Sequence, residues 1–157
     1  MTDIPKAAPG SRTEIVTATW RDLNAVREIE SQSFDLDAWP LIDIIGVLTL
    51  PNVIRLKAVA DGKIIGFIAV DIRRSQGVAW IATIAVHPDH RRKGIGGKLL
   101  EEAEAQSDLA RMRLTVRRSN RPAINLYHNF GYREVDIWPR YYKGGEDGIV
   151  MEKKLVG

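Results

Sequence analysis

Apolar positions change period several times along the chain, and each change marks an expected element. Thr13 to Ala18 carries the β-branched content of a short strand. Leu23, Val26 and Ile29 then recur at helical spacing behind Thr19, a capping residue with Asp22 three positions on, which predicts a helix over 20–32. Pro40 can open a second short helix, in which Leu41, Ile44, Ile45 and Leu48 share one face until Pro51 forbids continuation. Val53 to Ala60 and Ile64 to Arg73 flank Asp61-Gly62, a turn pair that predicts a hairpin. Val78 to Val86, VAWIATIAV, is apolar almost throughout, as suits a central strand covered on both faces.

Past this strand the pattern gives way to HPDHRRKGIGG and then to a helix striped by Leu99, Leu100 and Ala103, where Lys98 and Glu102 are spaced to pair. Met112 to Val116 reads as a strand, Asn120 to Asn129 as a helix stopped by Gly131, and Tyr132 to Trp138 and Gly148 to Leu155 as closing strands. Hairpin-linked strands come first and helices cover the later part, so the expected fold class is a single-domain mixed α/β (α+β) fold, a mixed sheet packed between helices. Pro5, Pro9 and Gly10 make residues 1–12 an expected flexible tail, with the folded domain spanning 13–157.

Composition narrows the chemistry. At 157 residues, 45% hydrophobic and 27% charged, the chain fits one ordinary globular domain. It has 0 cysteines, which excludes a disulfide framework, thiolate metal sites and a cysteine nucleophile. The start lacks the apolar run of a signal peptide and no later stretch suits a membrane span, so the expectation is a cytoplasmic protein with no membrane partner. A net charge of +3 is mild, but Arg91, Arg92 and Lys93 cluster, as do Arg117, Arg118 and Arg121, each group beside a helix start. With no paired helix-turn-helix signal, zinc ligands or aromatic stacking strip, no nucleic-acid partner is expected.

A glycine-rich turn that opens a helix can aim backbone N–H groups at a phosphate while the helix dipole adds a favourable field. Gly94, Gly96 and Gly97 allow close approach, and Arg91, Arg92 and Lys93 supply charge for a diphosphate. The spacing matches neither the Walker loop nor the dinucleotide fingerprint. Taken alone, it serves equally well as a basic surface turn.

The flanks add to it. Arg91-Arg92-Lys93-Gly94-Ile95-Gly96 resembles the cofactor motif of the GNAT superfamily of N-acetyltransferases, Arg/Gln-x-x-Gly-x-Gly/Ala after a central strand. IAVHPDHRRKGIGGKLL (84–100) resembles the strand, turn and helix of that family's core, and RSNRPAINLYHNFGY (118–132) its second block. The ending WPRYYKGGEDGIVMEKKL is most similar to the ribosomal-protein-alanine and N-terminal acetyltransferase branch. The resemblance implies a GNAT-like, mostly antiparallel seven-stranded sheet flanked by about four helices. It also implies acetyl-coenzyme A as cosubstrate, without a metal. Ile84, Ala85 and Val86 would bond the pantetheine arm, residues Arg91, Arg92, Lys93, Gly94, Ile95, Gly96 and Gly97 would surround the pyrophosphate, and Asn120 and Tyr127 would complete the site. Tyr127, in the family's Leu-Tyr pair, would protonate the leaving thiolate, and Tyr141 and Tyr142 would line the slot for a peptide N-terminus, with Trp39 on its opposite wall.

From periodicity alone, Tyr127 reads as core beside Ala123 and Phe130, a preference that only the resemblance reverses, and Asn120 reads as a helix cap that can also contact the cofactor. One departure stands out. Where the ribosomal-protein enzymes carry a glutamate base, this chain has Thr115 in Leu114-Thr115-Val116-Arg117. Deprotonating a lysine at pH 7 costs about 4.6 kcal/mol, but an α-amine only about 1 to 1.4. The missing carboxylate therefore favours an α-amine acceptor, the N-terminus of a protein or peptide. A small-molecule amine and a silent acyl-coenzyme A-binding module are the alternatives. Ordered water, His87, His90, Glu30, Asp35 and Asp37 remain as proton acceptors, and the oligomeric state is left open.

Overall fold

The structure, a computed structural model, describes residues 12–33 and 41–155. Among them the elements run β1 (Glu14–Thr17), α1 (Leu23–Ser33), α2 (Leu41–Thr49), β2 (Val53–Ala60), β3 (Lys63–Arg73), β4 (Val78–Val86), α3 (Ile95–Gln106), β5 (Arg111–Arg117), α4 (Arg121–Asn129), β6 (Arg133–Trp138) and β7 (Gly148–Lys154). The strands form one 7-stranded sheet in the order β1-β2-β3-β4-β5-β7-β6. Only the β4–β5 neighbours run parallel.

Local expectations hold with small corrections. The stretch expected as one helix over 20–32 divides into a 3-10 turn at Trp20–Asp22 and α1 from Leu23. The reason is the cap itself: the Thr19 N–H donates to Asp22 Oδ2 at 2.8 Å and the Arg21 N–H to Thr19 Oγ1 at 3.3 Å, which tightens the first turn. Lys57 on β2 holds Asp22 at 3.0 Å, tying that turn to the sheet. The expected pairing of Lys98 with Glu102 is not made. Glu102 accepts instead from Gln106 at 3.2 Å, and the exposed Lys98 stays in water, where an ion pair adds little. Pro40, the expected start of α2, lies outside the described residues, as does all of the expected tail except Arg12.

Both faces of the sheet are covered, which is why β4 reads as nearly continuous apolar sequence. Ile68, Val70, Ile81, Leu114 and Met151 belong to the core cluster shared with α3 and α4. Phe67 and Ala69 face the other way, into a smaller cluster with Val26 of α1 and Ile44 and Leu48 of α2. No helix among the described residues is long and apolar enough to cross a membrane.

Two irregularities interrupt the pairing of β4. Ala69 pairs with Thr83 and Val70 with Ile81, so Ala82 is the extra residue of a bulge, which bends and twists the strand. The parallel ladder to β5 runs only from Val78 to Trp80, opposite Arg111 to Arg113. Beyond it β5 stays paired with β7 to its end, and β4 stays paired with β3 through Val86. The two central strands therefore splay apart, leaving one backbone edge of the second half of β4 outside any ladder.

Candidate active site

A backbone edge in the middle of a sheet carries N–H and C=O groups that need partners. Ile84, Ala85 and Val86 lie on this edge, with their opposite edge bonded to β3. At its end the chain makes a 3-10 turn, Pro88–His90, capped by His87, whose Nδ1 accepts from the Asp89 N–H at 3.1 Å. Arg92 then takes a positive φ of 64°, a left-handed conformation costly for an arginine, and Gly94 follows at 77°. That double reversal points the chain into α3. No side chain caps α3 and no acidic residue sits in its first turn, so its leading N–H groups and the positive end of its dipole suit an anion. The residues present thus fit a pantetheine diphosphate: an open strand edge, followed by an uncapped helix start flanked by exposed Arg92 and Lys93.

The structure distinguishes the members of this turn. An added Cβ on Gly96 would meet only ordinary contacts, 3.5 Å to Leu126 and 3.9 Å to Val86, so packing does not demand glycine there. Gly97 differs. A Cβ on it would come within 2.3 Å of Phe130 Cζ, so this glycine lets the end of α4 press against α3. The Ile95 side chain is buried in the core, leaving its backbone for the turn. Arg91 folds back, donating from Nε to the Val86 carbonyl at 3.1 Å and from Nη2 to Ser33 at 3.3 Å, and so ties α1 to the end of β4.

Across α4, Asn120 caps the helix by accepting from the Ala123 N–H at 3.3 Å. Tyr127 is buried on the same helix, with its ring 6.0 Å from that of Tyr132. Burial pushes its phenol above the ordinary tyrosine range. The hydroxyl therefore stays protonated near neutrality, as a proton donor must, though it is a weaker acid than a free phenol.

On the opposite face of the sheet a cavity of about 320 Å³ opens beside the splay, lined by Asp71, Arg73, Trp80, Ile81, Ala82, Thr115, Trp138, Tyr141 and Tyr142. The bulged Ala82 and half-buried Thr115 bring it to both sides of the gap. Tyr141 and Tyr142 were expected at such a slot, and a second groove of about 630 Å³ under α2 shares Asp71 and Ala82 with it. Trp39 lies outside the described residues. Glu146 holds the β6–β7 loop in place, accepting from the Ser119 N–H at 2.6 Å and from Arg117 at 3.0 Å, and these bonds keep its carboxyl below the usual range. Asp147 adds bonds to Arg118 and to the Arg140 N–H, both at 3.1 Å.

Sequence reasoning missed Asp71, Trp80 and Trp138 as cavity walls, and Glu146 and Asp147 as anchors. One large ring, Trp80, in an otherwise aliphatic strand was the available signal, together with the acidic pair after Gly144-Gly145. Among the proposed proton acceptors, His87 and His90 belong to the turn, while Asp35 and Asp37 are outside the described residues. Glu30 is buried at 1% exposure, accepts from Thr83 Oγ1 at 2.7 Å, and has no hydrogen-bond partner for Oε1 among the described residues. Desolvation raises its carboxyl to about 7.

The fold is met elsewhere. A model of the acetyltransferase (GNAT) family matches residues 14–132, and the chain belongs to that family of acetyl-coenzyme A-dependent transferases. It is 34% identical over 139 residues to an uncharacterised N-acetyltransferase of Methanocaldococcus jannaschii, covering 85% of this chain and 86% of that one. It is 33% identical over 135 residues to a putative ribosomal-protein-alanine N-acetyltransferase of Bacillus subtilis, with 83% and 87% covered. The crystal structure of the Escherichia coli ribosomal-protein-alanine N-acetyltransferase superposes with a TM-score of 0.85 at 28% identity, covering 93% of this chain and 96% of that one.

Proposed function

We propose that the chain transfers an acetyl group from acetyl-coenzyme A to the N-terminal α-amine of a protein or peptide. The observation that carries this reading is the splay itself. The β4–β5 ladder stops at Trp80, and the gap is flanked by an uncapped helix start on one side and an aromatic cavity on the other. The donor supplies an acetyl group activated as a thioester. Backbone groups of Ile84 to Val86 align it, and the turn from Arg91 to Gly97 holds its diphosphate end.

The acceptor nitrogen enters past Ala82 and Thr115 and attacks the thioester carbonyl. As the C–S bond breaks, Tyr127 gives its phenolic proton to the departing thiolate, whose thiol has a pKa near that of cysteine, about 8.5. The proton shed by the amine restores the phenol in net balance. Thr115 supplies no base, which suits an amine that is already partly neutral near pH 7.

The test is direct. Purified protein is mixed with acetyl-coenzyme A and a panel of N-terminal peptides, N-terminally blocked lysine peptides and polyamines, and thiol release is followed. Turnover with free N-termini is expected. Turnover restricted to lysines or polyamines, or none with any amine, overturns the reading.

A further inference from the structure

The cavity beside the splay is built for more than an amine. Its walls are a run of rings: Trp80 and Trp138 at 5.6 Å, Trp138 and Tyr141 at 5.0 Å, Tyr141 and Tyr142 at 5.0 Å. These spacings fall within the range of favourable aromatic pairs, so a further ring or thioether can extend the run. The rings come from three separate places, β4, β6 and the β6–β7 loop, and meet only because β6 returns along β7. Gly148 secures the floor. A Cβ there would lie 2.8 Å from Thr115 and 3.2 Å from the Tyr141 ring, so glycine lets Tyr141 settle directly over the β5–β7 ladder.

Charge narrows what fits. Trp80 already faces two guanidinium groups, Arg73 at 5.4 Å and Arg113 at 5.9 Å, and Arg117 lies 4.8 Å from the Tyr142 ring. Asp71, the cavity's carboxylate among the described residues, is paired with Arg73 at 3.0 Å. Each guanidinium has its own carboxylate, Arg113 pairing with Glu152 at 2.6 Å and Arg117 with Glu146 at 3.0 Å, so among the described residues the cavity offers an entering cation no uncommitted carboxylate. A glycine or serine would leave the rings in water.

Resting on the α-amine reading above, we propose that this cavity is a side-chain specificity pocket that selects acceptors with a large apolar or aromatic residue at the first or second position. Trp80 is the specificity-determining residue, because its ring lines the cavity, begins the run of rings and is in contact with the Arg73 and Arg113 guanidinium groups. The cavity's size, about 320 Å³, suits one such side chain beside the reacting amine and not an extended acidic or basic segment.

The test uses peptides identical except at positions one and two. Phenylalanine, methionine or leucine is placed at either position and compared with glycine, serine and lysine, and kcat/KM is read from thiol release. An advantage of roughly tenfold or more for the large apolar residues is expected, the scale on which an apolar pocket discriminates. Trp80→Ala should lose most of that ratio while coenzyme A affinity is kept. Trp80→Leu, which keeps an apolar filling, should retain part of it and guards against a folding defect in the first variant. Equal rates for glycine or serine peptides, a preference for lysine, or an unchanged ratio in a folded Trp80→Ala protein overturns the proposal. Turnover of no peptide removes the α-amine reading itself, and this inference with it.

Discussion

The proposed donor and acceptor sides of the splay are built on opposite plans. The donor side is made of backbone: an open strand edge, a turn with two left-handed residues, and a helix start. Buried elements hold it, since Gly97 and Phe130 lock α3 to α4, while Glu30 and Ser33 tie α1 to β4. The acceptor side is made of side chains, with Tyr141 54% exposed and its loop held by ion pairs near the surface. The contrast has a chemical reason. A donor that never varies can be read by groups every residue possesses, whereas acceptors are told apart only by side chains.

Four substitutions test that division, from the largest effect to the smallest. Tyr127→Phe keeps the ring packing and removes the proton donor, so kcat should fall by roughly 10² to 10⁴ with coenzyme A affinity unchanged. An unaltered kcat would move the acid to another group.

Glu30→Gln concerns the backing of the donor strand. Its carboxyl is raised from 4.5 to about 7, so the neutral form suits the fold. That contribution is complete below about 4.5 and is lost as pH rises through about 7, an effect of about 3 kcal/mol at most. Urea unfolding at pH 5 and pH 8 should therefore show a smaller drop for the glutamine variant than for the parent. Equal drops would mean that the carboxyl is solvated.

Gly97→Ala drives a methyl group into Phe130, and the expected loss of stability is roughly 1 to 3 kcal/mol. Because Phe130 ends α4, weaker coenzyme A binding should accompany it, whereas Gly96→Ala should disturb the fold far less. The smallest effect belongs to Glu146→Ala, which removes the carboxylate bonds to Arg117 and the Ser119 N–H and leaves the β6–β7 loop held to Arg117 through the Lys143 carbonyl. Peptide KM should rise while the KM for acetyl-coenzyme A stays put. A change in the second without the first would place the loop on the donor side.

Legibility in the sequence follows the same division. The proposed donor side left a signal in the sequence because strand, turn and helix are contiguous, and a backbone site is marked by glycines and charge at fixed spacing. Gly97 was read only for ligand approach, and its packing role stayed hidden because its partner, Phe130, lies on another helix. The acceptor cavity was readable only at Tyr141 and Tyr142. Asp71, Trp80 and Trp138 come together through the β3–β4–β5–β7–β6 order, and no local periodicity encodes that order. Fold class followed from patterning alone, but the place where β4 leaves β5 did not, because each strand keeps its own pattern across the break, nearly continuous apolar residues in β4 and alternation in β5.

That break makes the sheet two leaves, β1–β4 and β5–β7, joined by a seam of three paired residues. A ligand lying along the open edge of β4 lengthens the seam without adding a strand. Donor binding should therefore be felt well away from the acetyl group, as slower amide exchange on the flanking strands of both leaves. It should also raise the unfolding free energy by about 2.7 kcal/mol when the ligand stands at a hundred times its Kd. On the proposed reading, the coenzyme would serve the architecture as well as the reaction.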